Sequence, residues 1–325
     1  MPKVDPLSLE EMRAWRPEVA EPADFDAFWT ATLDESRAAG GDAVLRAEPT
    51  PFTLVDVYDL VFPGFAGDPV RAWVTVPAGP GGPLPAVVEF LGYGGGRGLP
   101  GARLFWANAG YAHVLMDTRG QGSAWGSGGD TDDPHGAGPA FPGFMTRGIL
   151  DRRDYYYRRV FTDGVRLVDA VRGLPFVDPS RLVVTGGSQG GAITLAVAGL
   201  SDGLVGVMPD VPFLCHMRWS VERTPRAPFT EVVQWLSVHR DVVDDAFRTL
   251  SYFDGVNFAR RVNAPSLFSV ALLDDIVLPS SVFAAYNVLG AQDRSIEVYP
   301  FNGHEQGELH QLHRQAAWLA ERVPV

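Results

Sequence analysis

Apolar residues recur along the chain with two distinct periods, and these periods predict alternating strands and helices. Residues 52–62 alternate apolar and polar side chains, which is typical of a half-buried strand, and residues 70–76 form its expected partner. Short apolar runs predict buried strands at 86–91, 111–116, 182–185, 204–209, 266–271 and 295–299. The segments between them predict helices at 160–174, 192–200, 280–289 and 308–322. Strands that alternate with helices imply an α/β fold, with a mostly parallel central sheet and helices on both faces.

Two segments depart from this alternation. Residues 1–50 show helical spacing interrupted by Pro17 and Pro22, and they predict an N-terminal helical extension. Residues 213–263 are rich in aromatic side chains and mostly helical in pattern, and they predict a helical insertion near the candidate site. No internal repeat is visible, and 325 residues suit one large α/β unit. We therefore expect a single domain over residues 1–325.

The strongest local signal is the run of residues 186–190, which places Ser188 between two pairs of small or polar neighbours. It matches the Gly-x-Ser-x-Gly nucleophile elbow, with an apolar strand before it and a helix after it. A serine at a sharp turn needs small flanking residues to avoid clashes, and the helix N-terminus behind it favours a developing negative charge. The pattern predicts Ser188 as a nucleophile.

A serine nucleophile needs a general base, and the chain has seven histidines. His304 is the one that directly follows a late predicted strand, where such a base is expected. His310 and His313 have helical spacing in the last predicted helix, which favours surface or packing roles. His113 lies inside a predicted strand and is expected in the core.

The acid that orients the histidine should lie on the loop after the strand 266–271. Asp274 and Asp275 are both on that loop. One of them would hold the His304 imidazole in the required tautomer and stabilise its charged form. Position slightly favours Asp274, because it is the first acid after the strand, but the spacing leaves both residues open.

An oxyanion intermediate needs two backbone N–H donors. Gln189, the residue after Ser188, is predicted to supply one donor. Tyr93, in the glycine-rich loop 92–96 that follows an earlier strand, is predicted to supply the other. That loop lacks Gly-x-Gly-x-x-Gly spacing, so a dinucleotide site is not expected there.

Charge and lysine content exclude several other kinds of chemistry. The chain has 27 basic and 39 acidic side chains and a formal net charge of −12, which argues against a nucleic-acid surface. Lys3 is the single lysine, since the other basic residues are arginines. Schiff-base catalysis, pyridoxal phosphate attachment and a Walker A phosphate loop are therefore not expected. We expect no cofactor.

Metal and thiol chemistry are also disfavoured by the sequence. Cys215 is the sole cysteine and lies in an apolar run, which favours a buried structural thiol. His304 is followed by Glu305, but Glu308 stands where a zincin would have its second histidine. The aspartates at 130, 132 and 133 lack a complete calcium-loop spacing. We expect no metal site.

Residues 182–200 contain no charged side chain and could be taken for a membrane span by length. They hold five glycines and several polar residues, so a strand, turn and helix explain them better. Residues 1–9 lack a basic segment followed by an apolar core. These patterns predict no membrane association and a cytoplasmic protein.

Several longer segments, taken in order, point to one known family. They are residues 117–122, 142–149, 155–160, 186–191, 210–216, 251–258, 282–287 and 304–305. Together they resemble the acetyl xylan esterase and cephalosporin C deacetylase family of α/β-hydrolases, carbohydrate esterase family seven. The resemblance extends over nearly the whole chain.

This resemblance implies a Ser188–His304–Asp274 triad, and so favours Asp274 over Asp275. It also implies Tyr93 and Gln189 as oxyanion donors. In addition to these, it implies that Arg119 and Gln121 belong to an Arg-Gly-Gln motif that supports the site. At the level of the whole protein it implies deacetylation of small sugar esters and cephalosporins, and a hexamer built as a dimer of trimers.

The chain departs from the family pattern beside the site. Val277 and Leu278 replace residues of a usual Cys-Pro-Pro-Ser-Thr stretch, and residues 271–274 read Ala-Leu-Leu-Asp rather than Gly-Leu-Met-Asp. Gln306 stands between Glu305 and Gly307, where the family has His-Glu-Gly. These differences leave the triad intact and bear on substrate preference.

The sequence therefore predicts a serine esterase that removes acetyl groups from small carbohydrate esters, xylo-oligosaccharides and cephalosporin-type compounds. An acyltransferase on the same scaffold and a non-catalytic relative of the fold are the alternatives. A small-molecule ester is the expected partner, together with further copies of the same chain.

Overall fold

The computed structural model describes residues 4–136 and 138–325, so Lys3 lies outside the described residues. Within the described part of the chain, nine strands form one sheet. The strands are β1 Val44–Ala47, β2 Val55–Pro63, β3 Pro69–Pro77, β4 Leu84–Phe90, β5 Ala112–Met116, β6 Val177–Gly187, β7 Leu204–Asp210, β8 Ser266–Ala271 and β9 Arg294–Tyr299.

Helices precede, separate and follow these strands. They are α1 Leu9–Ala14, α2 Phe25–Ala38, α3 Phe105–Asn108, α4 Tyr156–Val171, α5 Gln189–Leu200, α6 Met217–Arg223, α7 Phe229–Val238, α8 Val243–Ser251, α9 Gly255–Ala259, α10 Pro279–Asn287 and α11 Glu308–Arg322. Four of them, α6 to α9, fall within residues 213–263, the range in which the sequence predicts a helical insertion.

The strand order is β1-β2-β3-β5-β4-β6-β7-β8-β9. The three N-terminal strands are antiparallel, and β3 also runs antiparallel to β5. From β5 to β9 every neighbouring pair is parallel. The carboxyl ends of β4, β6, β8 and β9 therefore meet at one edge of the sheet, and ligand sites of α/β proteins form at such an edge.

The predicted α/β architecture agrees with the structure, but the sequence missed one strand. β1 lies inside the segment predicted as a helical extension and pairs with β2, with Val44 opposite Val61. It has four residues, of which three are exposed, so it carries no alternation of buried and exposed positions that could have revealed it. Strand β6 also begins at Val177, earlier than the apolar run alone indicates.

The uncharged segment 182–200 contains the end of β6 and helix α5. Residues 189–198 of that helix are all buried, because α5 contacts β6 and β7 as well as α4 and α9. A helix that is apolar on every face is expected when it is covered on all sides. Among the described residues, no helix is long and apolar enough to cross a membrane.

Candidate active site

Ser188 lies at a sharp turn between β6 and α5. Its backbone angles are φ 58° and ψ −117°, a conformation that costs energy for a residue with a side chain. Its N–H donates to Asp210 O at 2.9 Å, and its carbonyl accepts from Phe213 N at 3.0 Å. These bonds hold the strained turn and place the hydroxyl at the carboxyl edge of the sheet.

The glycines of this turn are required by close backbone contacts. A Cβ atom at Gly190 would lie 2.1 Å from Phe90 O, and one at Gly186 would lie 2.7 Å from the same oxygen. Both distances are far below van der Waals contact, and the obstructing atom is backbone. The Gly-x-Ser-x-Gly pattern is therefore a packing requirement between β6, α5 and the end of β4.

His304 lies on the loop between β9 and α11, and its ring contacts the side chains of Ser188 and Asp274. Its Nε2 is 3.0 Å from Ser188 Oγ, and its Nδ1 is 2.9 Å from Asp274 Oδ2. A carboxylate can only accept here, so Nδ1 carries the proton and Nε2 presents a lone pair to the serine hydroxyl. His310 and His313, the two histidines of helix α11, are exposed.

Asp274, and not Asp275, is the acid that contacts His304. The Asp274 side chain is fully buried, and its Oδ1 accepts from Ile276 N at 2.9 Å and Val277 N at 2.8 Å. Both carboxylate oxygens are thus occupied and held in position. Asp275 is turned away, is 40% exposed and pairs with Arg226 at 2.9 Å.

Tyr93 lies on the loop after β4 and Gln189 directly follows Ser188, so both backbone amides lie near the carboxyl edge of the sheet. Gln189 is the first residue of α5, where helix N–H groups have no partner within the helix. Among the described residues, neither the Tyr93 nor the Gln189 N–H donates to a protein acceptor. Both are therefore free to bind a negatively charged oxygen.

Gln121 joins the loop of Tyr93 to helix α5. Its Oε1 accepts from Gly94 N at 2.6 Å, and its Nε2 donates to Gln189 Oε1 at 2.8 Å. The same Nε2 lies 3.0 Å from the hydroxyl of Tyr156. Because it bonds both the residue after Tyr93 and the side chain of Gln189, Gln121 fixes the distance between the two free amides.

Arg119 does not reach the serine and is part of a buried ion cluster. Its guanidinium donates to both carboxylate oxygens of Asp163 at 2.6 and 2.8 Å and to Asp68 at 2.9 Å. Asp133 lies 3.4 Å from Arg119 and is also held by Arg159 at 2.7 Å. The cluster ties α4 to the loop that carries Gln121.

Sequence reasoning missed Glu231, a residue of α7. The hydroxyl of Tyr93 lies 2.8 and 2.9 Å from its two carboxylate oxygens, and Phe144 N and Met145 N each donate to Oε2 at 3.1 Å. Burial raises the pKa of Glu231, although the bond from Tyr93 acts in the opposite direction. No motif surrounds Glu231, so only the packing of α7 against the loop of Tyr93 identifies it.

Asp210 is a second residue to which the sequence assigned no role. Its carboxylate accepts from Gln311 Nε2 at 2.7 Å and Gln315 Nε2 at 2.8 Å, both on α11. Burial raises the pKa of Asp210 to about 7, because its donors are neutral amides and not cations. Asp210 thus links the end of β7, which holds Ser188 N, to the helix that follows His304.

Other candidate chemistries do not gather at this edge. Two of the three aspartates considered for calcium are engaged elsewhere, since Asp130 pairs with Arg97 at 3.1 Å and Asp133 with Arg159. Across residues 4–136 and 138–325, no group of three His, Cys, Asp or Glu side chains could hold a metal ion. Cys215 is buried, and burial raises its pKa well above the ordinary value.

Comparisons with known proteins identify the family. A family model described as acetyl xylan esterase matches residues 1–322. The chain is 28% identical to acetyl esterase Axe7A of Xylanibacter ruminicola, over 95% of this chain and 69% of that protein. Two solved structures match over almost their whole length. The acetyl xylan esterase of Paenibacillus sp. R4 has a TM-score of 0.88 at 36% identity and covers 96% of this chain and 98% of its own. Acetyl xylan esterase 1 of Thermoanaerobacterium sp. JW/SL YS485 has a TM-score of 0.87 at 31% identity and covers 95% of this chain and 97% of its own. This chain therefore belongs to the acetyl xylan esterase family and is a carboxylic ester hydrolase with the α/β-hydrolase fold.

Proposed function

We propose that this chain is a serine esterase that removes acetyl groups from oxygen esters of small carbohydrates, with Ser188, His304 and Asp274 as its catalytic triad. The observation that carries the proposal is the continuous chain of hydrogen bonds from the Ser188 hydroxyl through His304 to the buried Asp274 carboxylate. Family membership supports the acyl group, because the relatives are acetyl esterases or acetyl xylan esterases.

In the first half of the reaction, Ser188 Oγ attacks the ester carbonyl carbon while its proton passes to His304 Nε2. The carbonyl oxygen becomes an oxyanion that accepts from the N–H groups of Tyr93 and Gln189. Asp274 stabilises the imidazolium that forms. When the intermediate collapses, the bond from carbon to the alcohol oxygen breaks and His304 donates its proton to the leaving alcohol.

The second half repeats these steps with water. His304 removes a proton from a water molecule, whose oxygen attacks the acetyl carbon bound to Ser188. A second oxyanion forms in the same position and collapses, which breaks the bond to Ser188 Oγ. The proton held by His304 returns to that oxygen, acetic acid leaves and the free enzyme is restored.

A series of 4-nitrophenyl esters from acetate to octanoate tests the reaction. We expect the highest kcat/KM on acetate. A preference for octanoate would contradict the acyl-group assignment.

A fluorophosphonate should add to Ser188 in the wild-type chain and not in Ser188→Ala, as measured by intact mass. The same variant should lose turnover by about 10³-fold or more. Near wild-type turnover in Ser188→Ala would exclude Ser188 as the nucleophile.

Cleavage of cephalosporin esters, the hexamer and the cytoplasmic location stay predictions from the sequence and the resemblance. Acetate release from cephalosporin C, assayed beside acetylated xylo-oligosaccharides, measures the first. Light scattering measures the oligomeric state, and a monomer mass would contradict a dimer of trimers.

A further inference from the structure

A polar pocket of about 250 Å³ opens beside the candidate active site. Gly92 and Gly187 line one side of it, and they directly precede Tyr93 and Ser188 in the chain. The pocket lining thus includes the residue before Tyr93 and the residue before Ser188. The pocket is placed to hold the part of an ester next to the reacting carbonyl.

Gln306 forms one wall of this pocket in an unusual conformation. Its φ is 66°, in the left-handed region that favours glycine, and the two residues after it also have positive φ. Its carboxamide rests against Gly187, so that a Cβ atom built on that glycine would lie 1.7 Å from Gln306 Oε1. Strained backbone persists where surrounding structure holds it, and such positions cluster at ligand sites.

The carboxamide of Gln306 has unused hydrogen-bonding capacity. Among the described residues it has no hydrogen-bond partner, although it is only partly exposed and lines the pocket. An amide of this kind offers one acceptor oxygen and two N–H donors. It is suited to a ligand group that both donates and accepts, as a hydroxyl group does.

Trp125 also lines this pocket and is 45% exposed. Its indole packs against the backbone of Gly95, and its Nε1 donates to Tyr93 O at 2.7 Å. The ring is thus held in place while part of its surface stays open to solvent. A fixed, partly open indole is suited to contact the C–H face of a ring that carries hydroxyl groups on its edge.

Acidic and amide side chains form part of the pocket lining, beside the apolar side chains of Phe90, Trp106 and Leu312. Asp210, Gln311 and Gln315 line the pocket, and of the described lining residues Arg103 is the one cation. Arg103 pairs with Glu89 beside it, so its charge is neutralised. This lining disfavours an anionic ligand through repulsion, and it disfavours an apolar chain because the carboxylate and amide groups would lose hydration.

We propose that this pocket binds a neutral sugar ring, the alcohol part of the ester, and that Gln306 is a specificity-determining residue that hydrogen-bonds a ring hydroxyl. The proposal rests on the esterase function proposed above and adds to it the place where the leaving alcohol is recognised. Trp125 contacts the ring face, and Gln306 faces its edge.

The test compares two acetate esters in one set of variants. The esters are a mono-O-acetylated methyl xylopyranoside, which has free hydroxyls, and 4-nitrophenyl acetate, which has none. In Gln306→Ala we expect the ratio of kcat/KM for the sugar ester to that for the nitrophenyl ester to fall about five- to tenfold, through KM. Gln306→Gly, which adopts φ 66° without strain, should lower the ratio equally.

Leu309→Ala is the matched control, since Leu309 is 58% exposed on the adjacent turn and does not line the pocket. It should keep the wild-type ratio. A ratio within twofold of wild type in both Gln306 variants overturns the proposal, as does an equal fall in the control. If the wild-type chain cleaves neither ester, the esterase function itself is wrong. If it cleaves 4-nitrophenyl acetate but not the sugar ester, the carbohydrate part of the proposed function is wrong together with the sugar pocket. If it cleaves both esters with no change in the variants, only the sugar pocket is wrong.

Discussion

Replacing Asp210 by asparagine should stabilise the folded chain, and the gain should increase as the pH rises from 5 to 8. Burial raises the pKa of this carboxyl to about 7, against 3.8 for an ordinary aspartate. Between these two values the folded chain binds a proton that the unfolded chain has lost. The wild-type protein therefore loses stability as the pH rises through this window, and a neutral asparagine does not.

The size of the effect follows from the two pKa values. Each unit of difference corresponds to about 1.4 kcal/mol, so the full shift corresponds to about 4 kcal/mol. About two units of this pKa shift, from pH 5 to about 7, fall within the range from pH 5 to pH 8. They correspond to a change of about 3 kcal/mol in the free energy of unfolding.

Asparagine fits the site because it has the size of aspartate and can keep both contacts with α11. Its oxygen can accept from Gln311, whose Oε1 already accepts from Tyr299 at 2.8 Å and so keeps its orientation. Among the described residues, Gln315 has no second partner, and its carboxamide can turn to accept from the asparagine amide.

The assay is reversible urea denaturation of the wild-type and Asp210→Asn chains at half-unit steps from pH 5 to 8. The quantity of interest is the difference in unfolding free energy between the two chains. This difference cancels the titration of other buried acids, such as Asp254, whose pKa burial raises to about 6. We expect it to favour the variant by about 1–2 kcal/mol at pH 5 and by about 4 kcal/mol at pH 8, an increase of about 3 kcal/mol over the range.

A difference that stays constant across the range would refute this reasoning. It would mean that the Asp210 carboxyl does not change its protonation between pH 5 and 8 in the folded chain. If the two glutamine amides instead stabilised the charged form, the pKa of Asp210 would be lowered from its ordinary value, and the difference would favour the wild type by a constant amount from pH 5 to 8.

Two further variants examine the orienting acid and the support of the oxyanion loop. Asp274→Asn should lower kcat by about 10⁴-fold, because an amide would favour the wrong tautomer of His304. Asp275→Asn is the matched control and should keep wild-type turnover; equal losses in both variants would contradict the assignment. In Glu231→Gln the Tyr93 hydroxyl and the amides of Phe144 and Met145 share one neutral acceptor oxygen, and their bonds to it are weaker than those to the carboxylate. The variant's unfolding free energy in urea should fall by about 1–3 kcal/mol, and an unchanged value would show that these bonds contribute nothing net.

The buried parallel strands and their helices were predictable because they carry a strong periodic signal. Strand β8 and helix α11 have the bounds that the sequence pattern gives, residues 266–271 and 308–322. Strand β1 was not predictable, since an exposed edge strand of four residues has no buried face to create a pattern. Helix α4 begins at Tyr156, before the predicted residue 160, because a chain covered on all sides shows no clear start of amphipathic spacing.

The sequence by itself determined the α/β architecture, the elbow around Ser188 and His304 as its histidine. These features depend on local constraints: periodic burial, glycines forced by backbone contacts, and the position of a residue just after a strand. Before the family resemblance was considered, the sequence did not decide whether Asp274 or Asp275 orients His304. Both residues lie on one loop, and only the direction of the side chain distinguishes them. The tertiary structure decided that direction, and it brought Glu231, Asp210 and Gln306 to the site. Each of these three acts across elements that are distant in the chain, and no local pattern records which distant backbone or side chain a carboxylate or amide will meet.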